Sequence, residues 1–200
     1  MSQTKQKTGI ILCGGKSSRM GKNKALLKIN NKYVISYVID ILQPFCDEII
    51  LSTNTSDLDF LGYKTVKDKF ENIGPIAGIL SSLLESKNNK TIILSCDTPF
   101  INGLLINELF SYLHTHDVVL PELNGFLQPM TGVFKKDIIP IISTEIQNGN
   151  NIPPRILEKC NLKKLKVESL ARYYHEHLFF NINSPADFEK AKEIMNKIKE

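Results

Sequence analysis

The chain has no tryptophan, and only 8% of its 200 residues are aromatic. A broad basic face interleaved with exposed aromatic rings, the usual platform for nucleic acid, has little to be built from, so no nucleic-acid partner is expected. No hydrophobic run is long enough to span a bilayer, and Met1 to Lys7 contains no apolar stretch of signal-peptide type. The expectations are therefore no membrane partner and a cytoplasmic location. The four cysteines, Cys13, Cys46, Cys96 and Cys160, form no C-x-x-C pair and lie far apart. They read as reduced, mostly buried thiols, which argues against a disulfide framework or a structural zinc site. Repeats, low-complexity tracts and linkers are missing too. With 42% apolar residues to supply a core, residues 1–200 are expected to form one domain.

Acidic residues are absent before Asp40, where eight basic ones stand; the remainder holds 17 basic against 21 acidic residues. The net charge of +4 thus conceals a cationic N-terminal segment on a mildly acidic chain. Charge concentrated in this way suits a small polyanionic ligand.

That segment contains the most informative stretch, Gly9 to Lys28, GIILCGGKSSRMGKNKALLK. Gly9 to Cys13 is a short apolar run of the kind that forms a fully buried strand of a parallel sheet. It ends at Gly14-Gly15, where the backbone can turn sharply and approach a ligand. Lys16, Ser17, Ser18, Arg19, Gly21, Lys22 and Lys24 follow. Backbone N–H groups and fixed positive charge after a buried strand suit a phosphate chain. The bland alternative is a solvated surface turn. Two better-known loops are excluded: five residues separate Gly15 from Gly21 and Asn23 follows Lys22, unlike the Walker pattern, and adjacent Gly14 and Gly15 break G-x-G-x-x-G.

Further along, residues 25–29 read as a short extended piece and Asn30-Asn31 as a turn. Residues 33–42 space apolar groups as a helix does, with Val34, Tyr37, Val38, Ile41 and Leu42 on one face, and Pro44 marks its end. Strands are expected at 48–52, 64–66, 91–95, 117–121 and 162–167. An entry turn flanked by Gly74 and Gly78 is expected to lead into a helix through Leu84, and further helices are expected over 102–113, over 136–147 with an interruption at Pro140, and from Pro153. Residues 125–134 suggest a hairpin. Ser184-Pro185-Ala186-Asp187 is a strong start for a last helix reaching almost to Glu200. Alternation of strands and helices indicates α/β architecture with a mostly parallel sheet. Ligands of such sheets sit at the carboxyl ends of strands, so Gly14, Asp68 and Asp97 should converge on one crevice.

Asp97 follows a buried strand, where one carboxylate can hold Mg²⁺ together with phosphate oxygens; the alternative is a turn aspartate before Pro99. Asp68, in Lys67-Asp68-Lys69, could be an ordinary solvated turn. His114-x-His116 and His175-x-His177 have no nearby cysteine and suit helix ends or surface better than metal. Cys13 stands beside cations that could lower its pKa, and a packing role is assigned to it.

The pattern L-x-G-G-x-S-x-R-M-G-x-x-K, carried by Leu12, Gly14, Gly15, Ser17, Arg19, Met20, Gly21 and Lys24, resembles that of the molybdenum cofactor guanylyltransferases. Asp68, Gly74, Pro75, Ala77 and Gly78 match a D-x(n)-G-P-x-A-G motif, and Cys96, Asp97 and Pro99 match C-D-x-P. Gln128-Pro129 and Asn181-x-Asn183-x-Pro185 extend the resemblance over nearly the whole chain. Cys13 stands where Ala is usual and Ser52 where some members have Asn, with Asn54 nearby. Arg155 is the only candidate for a basic pair that many members carry.

The resemblance implies a three-layer Rossmann-like domain of the nucleotide-diphospho-sugar transferase type. It also implies transfer of GMP from GTP to the phosphate of molybdopterin, with Mg²⁺ as cofactor and transient contact with other proteins of molybdenum cofactor biosynthesis. It places the nucleotide on Leu12, Cys13, Gly14, Gly15, Lys24, Ser52, Asn54, Asp68, Gly74, Gly78 and Asp97. Arg19, Lys24 and Asp97 would be catalytic, Asp97 would bind the metal, and Arg19, Asn181 and Asn183 would face the acceptor. From the residues alone guanine is not specified. A cytidylyltransferase acting on molybdopterin or on a sugar or polyol phosphate, and a non-catalytic nucleotide- or RNA-binding module, remain alternatives.

Overall fold

A computed structural model of the chain describes residues 5–14, 23–70, 73–170 and 174–199. The first apolar run forms β1, Lys7–Leu12, whose residues from Thr8 on are all buried. Asn30 and Asn31, both at positive φ, turn β2, Lys28–Ile29, back onto β3, Lys32–Tyr33. Before this hairpin, Lys24–Leu26 is a 3-10 turn and not the extended piece expected, because Asn23 Oδ1 accepts from the Ala25 N–H at 3.1 Å and caps it.

Helix α1, Val34–Leu42, buries Val34, Ile35, Val38, Ile39 and Leu42. Ile35 and Ile39 thus replace the expected Tyr37 and Ile41 on the inner face. Tyr37 turns toward the hairpin instead, its hydroxyl donating to the Ile29 carbonyl at 2.8 Å. Strands β4, Glu48–Ser52, and β5, Lys64–Val66, follow as expected, then α2, Pro75–Glu85, and β6, Lys90–Ser95. Helix α3, Gly103–Ser111, starts where Asn102 Oδ1 accepts from the Leu105 N–H, and it is shorter than expected.

Strand β7, Val118–Leu123, runs past Pro121 and turns through Asn124-Gly125 into β8, Phe126–Leu127. Strand β9 is Gly132–Lys135. Helix α4, Ile139–Gln147, carries Pro140 in its first turn, where the missing N–H has no helical partner, so the proline opens this helix and does not interrupt it. Helix α5, Pro153–Leu157, strand β10, Leu162–Lys166, and helix α6, Pro185–Lys199, complete the chain.

Eight strands form one sheet, ordered β10-β7-β9-β6-β1-β4-β5 with β8 on β7. The pairs β1–β4, β1–β6, β4–β5 and β7–β10 are parallel, and β9 is antiparallel to both β6 and β7. Alternate strand residues feed two cores. Ile11, Leu51 and Leu94 pack against α1 and α3, whereas Ile10, Ile50 and Ile93 pack against α2 and α4. This gives the α/β, mostly parallel, three-layer arrangement expected. A third cluster joins Ile29, Val34, Phe100 and Ile182 to Ala191 and Ile194 of α6.

Candidate active site

Leu12 is level with Ser52 on one side and Ser95 on the other, and Ser52 is level with Val66. Four strands therefore end along one edge. Cys13 N–H donates to Ser52 O at 2.8 Å and Cys96 N–H to Leu12 O at 3.0 Å, so the ladder continues one residue beyond each strand. Gly14, Asp68 and Asp97 leave from this edge.

Two cavities open there and share Ser95 and Met130. The smaller, about 200 Å³, is lined by Leu12, Gly14, Ser52, Asp68, Gly74 and Gly78 among others. Asp68 is held by its neighbour: Asn54 Nδ2 donates to Asp68 Oδ2 at 3.1 Å, and Asn54 Oδ1 accepts from the Asp68 N–H at 2.8 Å. Asn54 meets this cavity only through Asp68. Gly74 adopts φ +84°, ψ −162°, open to glycine and costly for other residues, and this bend aims the start of α2 at the cavity.

The larger cavity, about 310 Å³, includes Ser95, Asp97, Gln128, Thr131, Phe179, Asn181 and Asn183 in its lining. Ser95 Oγ donates to Asp97 Oδ1 at 2.6 Å, while Lys24 Nζ reaches Asp97 Oδ2 at 3.4 Å. Lys24 also donates to Asn183 Oδ1 at 2.7 Å. The Ile182 N–H donates to the Asp97 carbonyl at 3.1 Å, tying the Asn-x-Asn segment to the loop after β6. That segment is not a strand, yet Ile182 is buried while Asn181 and Asn183 are exposed.

Among the described residues no three His, Cys, Asp or Glu side chains gather as a metal cage. Asp97 nonetheless fits a hard divalent cation that keeps water and ligand oxygens, because Ser95 occupies Oδ1 and Oδ2 keeps only a long contact to Lys24.

Of the residues singled out from sequence, Leu12, Gly14, Ser52, Asp68, Gly74 and Gly78 meet in one cavity, and Asp97, Asn181 and Asn183 in the other. Lys24 joins the second through its two hydrogen bonds. Gly15 and Arg19 lie outside the described residues. Cys13 turns into the core, where a hydrogen bond with the Cys96 thiol, and then burial, push its thiol well above the usual value. The lowering suggested by nearby cations does not occur, and the packing role stands.

His114 and His116 sit just past the end of α3, their Nδ1 atoms donating to the Ser111 and Tyr112 carbonyls, and His177 pairs with Glu176. None of them lines either cavity. Ser95, Met130, Thr131 and Phe179 line the site but were not singled out. Ser95 alone had a signal: a serine two residues before Asp97 follows the apolar run Ile92 to Leu94.

The sequence model of a family described as MobA-like NTP transferase domain matches residues 9–162. A protein of Carboxydothermus hydrogenoformans named probable molybdenum cofactor guanylyltransferase is 32% identical, with 94% of this chain and 96% of that protein covered. One of the same name from Clostridium perfringens is 33% identical over 94% of this chain and 99% of its own. The crystal structure of molybdopterin-guanine dinucleotide biosynthesis protein A from Archaeoglobus fulgidus superposes with a TM-score of 0.81 at 23% identity. It covers 95% of this chain and 99% of that one.

Proposed function

The chain belongs to the family of MobA-like NTP transferases, and on that premise we propose that it transfers GMP from GTP to the phosphate of molybdopterin, releasing pyrophosphate. In this reading one domain serves both substrates. The smaller cavity takes the nucleotide, with Asp68 and Ser52 facing it and Gly74 and Gly78 allowing close approach. The larger cavity takes the acceptor, with Asn181 and Asn183 offering amides.

The observation that carries the proposal is the junction of the two cavities at Ser95, with Asp97 and Lys24 beside it. A phosphoryl group passing between two bound molecules belongs at such a junction. The acceptor is a phosphate monoester whose second pKa is near 6, so it is largely dianionic at neutral pH and needs no general base. Repulsion between anions then sets the barrier, and positioning with charge neutralisation lowers it. Lys24 supplies positive charge toward the α-phosphate and the leaving pyrophosphate in this reading, and Arg19 and the amides after Gly14 are assigned the same role from the sequence motif alone. Asp97 would hold a divalent cation, Mg²⁺ in this proposal, which supplies further charge neutralisation when bound.

The test is pyrophosphate release measured with Mg²⁺, molybdopterin and each of the four nucleotides. Release with GTP alone is the expected result. Preference for CTP would replace guanine by cytosine in this reading, and no release with any nucleotide would favour a binding module.

A further inference from the structure

Lys24 is held from the far end of the chain. Its Nζ donates to Asn183 Oδ1 at 2.7 Å, a shorter contact than the 3.4 Å to Asp97 Oδ2. Asn183 is fixed in turn by the first turn of α6. Its backbone N–H donates to Asp187 Oδ2 at 3.0 Å, which also accepts from Ser184 Oγ at 2.9 Å. The Asp187 N–H donates back to Ser184 Oγ at 3.2 Å, so Ser184 and Asp187 cap the helix reciprocally. The hydrogen bond from Ser184, and then those from backbone N–H groups, hold the Asp187 carboxyl below its usual value.

We infer that Asn183 is a positioning residue for Lys24, fixed by Asp187, so that the start of α6 sets where the ammonium stands. The inference rests on the proposed function only in taking phosphate as the group that Lys24 meets. Holding a lysine by a neutral amide has a distinct consequence. A free lysine stem samples many rotamers, and an acceptor removes that freedom. A carboxylate at the closer distance would also cancel much of the charge, whereas an amide oxygen does not, and the Asp97 carboxylate stands off at 3.4 Å. With Oδ1 committed to Lys24, Asn183 has its Nδ2 hydrogens left for a ligand in the larger cavity, a donor suited to an anion.

The test is a double-mutant cycle read by calorimetry with Mg²⁺-tripolyphosphate and Mg²⁺-GTP as probes, in the full chain, with melting temperatures measured alongside. Asn183→Ala should weaken both ligands roughly threefold to tenfold in the Lys24 protein and cost nothing further in Lys24→Ala. Asp187→Asn should act in the same direction, more weakly, and again only when Lys24 is present. Unchanged affinity in Asn183→Ala, or an equal loss with and without Lys24, overturns the inference, since a turn-shaping role does not depend on Lys24. A wild-type protein that binds tripolyphosphate but not GTP would reject the guanine nucleotide and leave this cycle readable. One that binds neither would overturn both.

Discussion

A methyl group on Gly78 would stand 2.8 Å from the Ser52 hydroxyl oxygen. It would also lie 3.2 Å from a carboxylate oxygen of Asp68. Helix α2 therefore presses on the ends of β4 and β5 as closely as a glycine permits. Gly78→Ala should cost about 1–3 kcal/mol of stability by overpacking. It should weaken GTP binding more than it lowers the melting temperature, because the displaced atoms line the smaller cavity. Calorimetry with GTP beside thermal unfolding measures both, and unaltered GTP affinity would mean that Ser52 and Asp68 do not face the nucleotide.

Asp97→Asn should abolish transfer while leaving nucleotide binding largely intact. The substitution keeps the acceptor for Ser95 Oγ but removes the charge that would hold a divalent cation. Turnover at saturating Mg²⁺ is the measurement, and a near-normal rate would exclude Asp97 as the essential ligand.

Lys24→Ala should weaken triphosphate binding and slow transfer together, since its charge serves ground and transition states alike. The expected loss is about 1.5–3 kcal/mol, the range for a hydrogen bond to a charged group. An unchanged GTP dissociation constant at low salt would contradict this.

Asn181→Asp should raise the KM for molybdopterin and spare GTP, because a carboxylate would replace an amide donor in the larger cavity. Ile182, fully buried between the two asparagines, keeps the segment in place in the variant. Separate affinity measurements for the two substrates decide the matter, and unaltered molybdopterin affinity would remove Asn181 from the acceptor site.

Burial pushes the Cys46 thiol up to about 12 and the Cys160 thiol up to about 11, from 9.0. Native thiols at these positions stay protonated at pH 8 and should react slowly with a thiolate-seeking reagent until the protein unfolds. The unfolded chain releases these protons first as pH rises, so stability should fall from about pH 9 toward pH 12. Cys46→Val should flatten that fall in an alkaline denaturation series.

Strands buried on both faces were the legible part of the sequence. Ile10 to Leu12, Ile49 to Leu51 and Ile92 to Leu94 need no neighbour to be recognised, and the aspartates after such strands fall on one edge by topology alone. Strand β9 was not legible. Its pairing between β6 and β7 requires Gly132, where a Cβ would meet Leu120 Cδ2 at 2.5 Å and the Val119 carbonyl at 2.8 Å, and no local pattern reports such a fit. The Lys24–Asn183 contact spans 159 residues and depends on how α6 docks, which composition and periodicity do not encode.

The place of β9 also sets an order of assembly. Strands β5, β4, β1 and β6 can pair as soon as residue 95 has been made, but β6 then keeps an open edge until residues 132–135 arrive. Strand β7 has no earlier partner at all, since β8, β9 and β10 all follow it. A nascent chain halted between these points carries the unpaired edge of β6 and, once β7 is made, the edges of β7 as well, the templates on which other chains add. Synthesis of the short segment around Gly132 closes the β6 edge, and Leu162–Lys166 then covers the outer edge of β7.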